Sequence, residues 1–185
     1  MHILRVAGVM TDMATAKLGR ATPLSSLGHF HWCVAGHDCA SELDPNDAVK
    51  AAKATPVGVQ QGSDYPYDPA SCRAAQDVVR LDFAYNVTSF PEAINTLQDG
   101  PIIVVIDLYQ DFWECKSKQI YRQRWGRYLN RHTIAIIGYD AGAQCWIVRN
   151  SQGTNWGYKG FGRVAFGECN ILAPTGNWGL RLVLA

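Results

Sequence analysis

Apolar positions near the start of the chain recur every three to four residues: Ile3, Val6 or Ala7, Met10, Met13 or Ala14, and Leu18. That spacing marks one face of a helix and predicts one over residues 2–19. A second helix is predicted from Asn46 to about Thr55, with Asn46 as its cap and Ala48, Val49, Ala51 and Ala52 on its inner side. Further along, the period changes. "SFPE", residues 89–92, has the form of a capping box opening a short helix that ends near Gly100. "PIIVVID" behind it is a continuous apolar run, which reads as a buried strand. Residues 133–139 and 144–148 are rich in β-branched and aromatic side chains, and Asp140-Ala141-Gly142 between them is turn chemistry, so the pair predicts an antiparallel hairpin. A last strand follows over residues 160–166. Most helical patterns fall in residues 1–80 and most strand patterns in residues 81–185, which predicts an α+β fold in one domain.

Two polar side chains close the ends of that hairpin. If its turn is centred near Ala141, His132 and Asn150 face each other. Cross-strand partners hold their Cβ atoms roughly 4.5–5.5 Å apart, so ring and amide would meet. A slip of one residue would send them to opposite faces. Taken alone, the pair also fits a surface histidine and an unrelated asparagine at a strand end.

Composition narrows the functional classes. With 185 residues, 48% hydrophobic content and 6 tryptophans, there is apolar material for one domain or two small lobes around a cleft. The formal net charge of +1 provides no global field to draw in nucleic acid or a membrane surface. No apolar run approaches the roughly 20 residues of a membrane span. Residues 1–10 are too interrupted to read as a secretory signal, and no internal repeat or low-complexity tract is present. Residues 116–131 interleave six basic side chains with Tyr121, Trp125 and Tyr128, a pattern able to stack and neutralise single-stranded nucleic acid. The same segment is accounted for as the loop and strand leading to His132, and no nucleic acid partner is expected. Asn86-Val87-Thr88 is a glycosylation sequon, meaningful only in the secretory pathway.

The residues after Asn150 give the hairpin chemical meaning. "NSQGTNWGYKGFGRV", residues 150–164, closely resembles the segment around the catalytic asparagine of papain-family cysteine peptidases, and "HTIAIIGYD" before it resembles the stretch carrying their histidine. "YQDFWECKSKQIY" is similar to the family's Asp-Phe segment, particularly in cathepsin B-like members. "DYPYDPASC" resembles the Tyr-Pro-Tyr segment ahead of a disulfide cysteine, and "GECNI" the late Cys-Gly-Ile. The motifs occur in one order from about residue 10 to residue 172.

The resemblance implies a papain-like fold, a helical lobe and a β-rich lobe with a cleft between them, and a Cys-His-Asn mechanism of peptide-bond hydrolysis. His132 would be base and then acid, and Asn150 would orient it. It also implies a peptide or protein substrate, no cofactor and no metal, and a lysosomal or secreted setting. In the family the nucleophile lies in a Cys-Gly-Ser/Ala-Cys-Trp/Tyr stretch about 130 to 150 residues before the His and Asn. This sequence contains no such stretch. "LSSLGHFHWC", residues 24–33, resembles a family segment from which the nucleophile's position runs back to His2. The expectation is therefore a fragment of a cysteine peptidase lacking its nucleophile, or alternatively an inactive homologue that binds peptide or a protein partner. The short interval from Cys39 to Tyr65 leaves no room for a cathepsin B-type occluding loop, which favours endopeptidase chemistry.

The six cysteines take different parts under this resemblance. Cys33 and Cys72 match the positions of a family disulfide, closing a loop of about 40 residues that would contribute about 4 kcal/mol in the chain-entropy model. The partners that the family pairs with Cys39 and Cys169 are not found. Cys115 and Cys145 read as buried thiols. His29, His31, Cys33, His37 and Cys39 supply zinc-ligand types, but their spacing fits no standard site. Three departures bear on activity. Gln152 stands where the family usually has a tryptophan that shields the His to Asn hydrogen bond. "CASEL", residues 39–43, replaces a glycine pair that lines the cleft. Arg131 sits beside His132, where a close cation would lower the imidazole's pKa.

Overall fold

The computed structural model describes residues 3–19, 47, 49–50, 57–59, 76–115 and 119–184. By its internal contacts the chain divides into two compact units, Met1–Tyr85 with Leu180–Ala185, and Asn86–Gly179.

In the first unit, helix α1 spans Ile3–Leu18, as its apolar period predicts. Val9, Met10, Met13 and Ala14 are buried along one side, the i, i+1, i+4, i+5 stripe of a helix with one face covered. Asp47, Val49 and Lys50 are helical within the second predicted helix, and the remainder of that prediction lies outside the described residues. Strand β1, Val57–Val59, pairs antiparallel with β2, Gln76–Asn86. Arg181 lies 3.7 Å from the Asp82 carboxylate and over the Phe83 ring.

The second unit opens with helix α2, Phe90–Asp99. Its start follows the sequence signature. Ser89 is the extended N-cap, its Oγ accepting from Glu92 N at 3.4 Å, and Pro91 sits in the first turn, where its missing N–H costs nothing. The reciprocal half of the box is displaced by one residue: the Glu92 carboxylate accepts from Thr88 N at 2.8 Å and Thr88 Oγ1 at 3.1 Å. Gly100 N closes the helix on Thr96 O. Ala93 and Thr96 form its buried side.

Strand β3, Ile102–Tyr109, follows, then a 3-10 turn over Gln110–Glu114, β4 at Ile120–Tyr121, β5 at Tyr128–Asp140, β6 at Cys145–Arg149, β7 at Phe161–Ala165 and β8 at Trp178–Leu184. Within this unit the strands lie in the order β3-β5-β6-β7-β4, and Trp178 and Gly179, the first residues of β8, pair with Ile103 and Ile102 on the other edge of β3. Only β4 and β7 run parallel among the pairs here. Residues Ile102 to Ile106 are all buried, as a run without alternation requires of a central strand covered on both faces. Strand β5 is longer than its apolar pattern predicts. Its first residues, Tyr128 to Arg131, are exposed and show no apolar pattern, yet they continue as strand because β3 pairs with them, Leu108 with Asn130 and Asp107 with Arg131. No helix among the described residues is long and apolar enough to cross a membrane.

Candidate active site

His132 lies in β5, opposite Ile106 of β3, and is 4% exposed. Asn150 follows the last residue of β6 and is buried to the same degree, 4%. Their side chains meet: His132 Nε2 is 2.9 Å from Asn150 Oδ1. The same oxygen accepts from Ser151 N at 2.8 Å. A backbone N–H can only donate, so that bond identifies the oxygen end of the amide. Nε2 must then carry the proton it shares with Oδ1, which assigns the imidazole tautomer from its partners. Asn150 is itself held through its backbone N–H, which donates to Gly160 O at 2.8 Å.

The predicted hairpin register is wrong in detail. Direct pairing of His132 with Asn150 assumed a turn centred near Ala141, whereas the turn occupies residues 141–144, with Gln144 at φ 53, and a bulge interrupts the ladder between Ile136 and Gly138. Asp140 pairs with Cys145 and, beyond the bulge, Ala135 with Arg149. One further step sets Asn150 across from Ile134, so His132 stands two residues along β5 from its predicted partner. A two-residue displacement preserves the face. Diagonal neighbours on one face lie roughly 7–8 Å apart by backbone, within reach of an imidazole and a carboxamide.

Aromatic rings enclose the histidine. Phe112, fully buried, meets His132 edge-on with centroids 6.3 Å apart, and Trp113 does so at 5.5 Å. Beneath Phe112, Trp156 stacks at 5.2 Å, and its indole Nε1 donates to Phe112 O at 3.1 Å. This explains the glycines after Asn150. A Cβ at Gly162 would stand 2.6 Å from Trp156 Cη2, so the strand must be bare there for the indole to lie on it. Gly157 has φ +57 and would place a Cβ against Phe161 O, a position only glycine can take.

The 3-10 turn that carries Phe112 and Trp113 is anchored by Asp111. Its carboxylate, 7% exposed, accepts from Tyr121 OH at 2.6 Å, Arg124 N at 2.8 Å and Trp125 N at 3.2 Å. Burial alone would raise its pKa, but the hydrogen bonds from Tyr121, Arg124 and Trp125 outweigh burial and hold it below the ordinary carboxylate range. Tyr121 is pushed the other way, upward, by burial and by its bond to Asp111.

Cys115, Cys145 and Cys169 are buried free thiols, as the sequence reading has it for the first two. Burial raises all three pKa values, that of Cys169 to about 12, so each stays protonated and poorly nucleophilic at neutral pH. Arg131 and His132 are adjacent in a strand and point to opposite faces, Arg131 exposed and across from Asp107. Gln152 is exposed. Among the described residues no group of three or more His, Cys, Asp or Glu is placed to hold a metal ion. His2, the "CASEL" stretch, the residues from His29 to Cys39 and the Cys33–Cys72 pairing lie outside the described residues. The residues around His132 that sequence reasoning missed are Phe112, Trp113 and Trp156. All three lie inside motifs already singled out, but no periodicity links Phe112 or Trp113 to a histidine in a later strand.

Residues 6–174 match the family described as papain family cysteine protease. The gut-specific cysteine proteinase of Caenorhabditis elegans is 39% identical over 77 residues, covering 40% of this chain and 23% of that protein. A cathepsin B-like cysteine proteinase of Schistosoma japonicum is 34% identical over 118 residues, covering 60% of this chain and 32% of that protein. The chain thus spans well under half the length of these curated relatives. Among solved structures, the procathepsin B S9 of Trypanosoma congolense superposes with a TM-score of 0.79 at 21% identity, covering 100% of this chain and 68% of the other. Bromelain of Ananas comosus, in complex with the E64 inhibitor, gives 0.74 at 22% identity over 97% of this chain and 87% of the other. At such identities the structural likeness speaks for the α+β papain-like fold.

Proposed function

The chain belongs to the papain family of cysteine proteases, and from that premise we propose that it carries the acid–base part of a Cys-His-Asn peptidase, His132 as the proton carrier and Asn150 as its orienting group. The observation that supports this reading is the 2.9 Å contact from His132 Nε2 to Asn150 Oδ1 in a buried setting. With Nε2–H committed to the amide, the basic lone pair of the neutral ring is on Nδ1. The chemistry follows in two halves. A thiol gives its proton to Nδ1 as its sulfur bonds to the scissile carbonyl carbon. His132 then protonates the leaving amine as the C–N bond breaks, which leaves an acyl thioester. Water adds in the second half, passing its proton to His132, and the S–C bond breaks to release the carboxylic acid and restore the thiol.

None of the described cysteines suits the attacking role, since all three are buried with raised pKa values. In this reading the thiol comes from a segment N-terminal to α1, in a longer polypeptide that cleaves peptide or protein substrates in a lysosomal or secreted setting. A second reading, an inactive homologue that holds peptide without cutting it, is favoured by one feature of the sequence: counting back from the resemblance of residues 24–33 puts His2, not a cysteine, at the nucleophile's position.

An epoxysuccinyl peptide that alkylates activated thiols separates the two. The 185-residue chain is expected to resist the probe. A form extended by its upstream coding sequence should label at a single new cysteine, and His132→Ala should abolish that labelling. Absence of an upstream Gln-x-x-Cys-Gly-Ser-Cys-Trp-like stretch, together with peptide binding by the unlabelled chain, would instead establish the inactive homologue.

A further inference from the structure

We propose that Trp113 is a positioning residue: its indole covers the His132–Asn150 hydrogen bond against water, a task that the loop carrying Asn150 does not perform. The assignment rests on the reading of His132 and Asn150 given above.

Both members of the pair are 4% exposed, yet the chain immediately beyond them is open. Gln152, Gly153, Thr154 and Asn155 are all exposed. An exposed glutamine offers an amide that competes for hydrogen bonds, whereas exclusion of water needs an apolar surface. Among the described residues, the 3-10 turn sets apolar rings against the imidazole. Phe112 and Trp113 both meet the imidazole edge-on, at 65° and 69° between ring planes. Phe112 is completely buried and packs into the core on Trp156, so its ring belongs to the floor of the site. Trp113 is 39% exposed while its ring lies 5.5 Å from that of His132. One part of the indole therefore rests on the histidine and another faces solvent, which is the position of a lid over a buried polar contact.

The lid is also held in place. Asp111, two residues earlier, ties the turn to residues 121–125 through three hydrogen bonds, and Cys115 N closes it on Phe112 O at 3.3 Å. Water competing for the Nε2–H would have to displace a ring whose backbone is fixed at both ends. A N–H···O bond in a water-poor site is stronger than the same bond in contact with solvent, and the imidazole's orientation is correspondingly better defined.

The exchange rate of the His132 Nε2–H proton with water, followed by NMR in the 185-residue chain, tests the assignment. In the unaltered chain this proton should exchange slowly. Trp113→Ala should accelerate exchange by about tenfold, Trp113→Phe by less, and adding Gln152→Trp to Trp113→Ala should restore protection. Thermal midpoints measured alongside distinguish a local opening from general destabilisation, and Trp113→Leu serves where the alanine variant does not fold. Exchange in Trp113→Ala or Trp113→Leu equal to that of the unaltered chain overturns the proposal while leaving the His132–Asn150 reading intact. A proton unaffected by Asn150→Ala, or one that exchanges as fast as in a free imidazole, overturns both.

Discussion

His132 and Asn150 sit two residues out of register across the β5–β6 hairpin and still close a 2.9 Å contact. The spacing matters because the amide oxygen is shared with Ser151 N: the ring is presented to an acceptor whose orientation the backbone has already chosen. Replacing Asn150 by Ala removes the acceptor and leaves a buried imidazole N–H unsatisfied, which costs about 1–3 kcal/mol. Urea unfolding of Asn150→Ala against the unaltered chain should show a lower midpoint at unchanged slope. An unaltered midpoint would mean that water replaces the amide freely.

Gly162→Ala is expected to destabilise through Trp156. The added Cβ would lie 2.6 Å from Cη2 and 2.9 Å from Cζ3 of an indole that is 5% exposed and tethered through Nε1 to Phe112 O. A pinned ring cannot swing away, so overpacking of about 1–3 kcal/mol follows. Gly142→Ala, where the nearest atom is Asp140 Oδ1 at 3.5 Å, is the matching control and should be near neutral. Thermal melts of the two variants decide the matter.

Asp111 should make stability depend on pH in the acid range. Its pKa is held below the unfolded value, chiefly because three hydrogen bonds overcome the opposing effect of burial. Its stabilisation is therefore fully present above the unfolded carboxylate pKa of about 4 and is lost as pH falls through the lower folded value. The difference in thermal midpoint between the unaltered chain and Asp111→Asn should be constant from neutral pH down to about pH 5 and shrink below it. A difference that stays flat to pH 2 would show that the charge contributes nothing there.

Native thiol accessibility provides a fourth test. Cys115, Cys145 and Cys169 are buried and carry raised pKa values, so an alkylating reagent at neutral pH should leave all three unmodified in the folded chain and modify them in denaturant. Peptide mapping by mass spectrometry assigns each site. Rapid labelling of any of the three under native conditions would contradict its burial.

Much of the architecture was legible from local pattern because it is locally encoded. The period of α1, the Ser89 cap of α2 and the apolar run of β3 are properties of neighbouring residues, and each element forms where its pattern lies. The hairpin was legible as a hairpin but not in register. Its turn puts Gln144 rather than Gly142 in the left-handed conformation, and its ladder shifts register between Ile136 and Gly138, a shift that a count centred on Ala141 does not contain. A strand leading to His132 was expected from the family resemblance, but where it begins was not legible, since only pairing with β3 makes strand of the exposed residues from Tyr128 to Arg131.

The order of motifs along the chain, and the identity of His132 and Asn150 as a pair worth testing, were decided by sequence alone, because a family's chemistry constrains residue types at fixed spacings. The way the two groups meet was decided by tertiary structure. Parity of a strand register brings a histidine back to the asparagine's face after a two-residue shift, and a turn from another part of the chain sets Trp113 and Phe112 against the ring. No local pattern encodes such contacts, since they exist only once separate strands have paired and the water between them has been expelled.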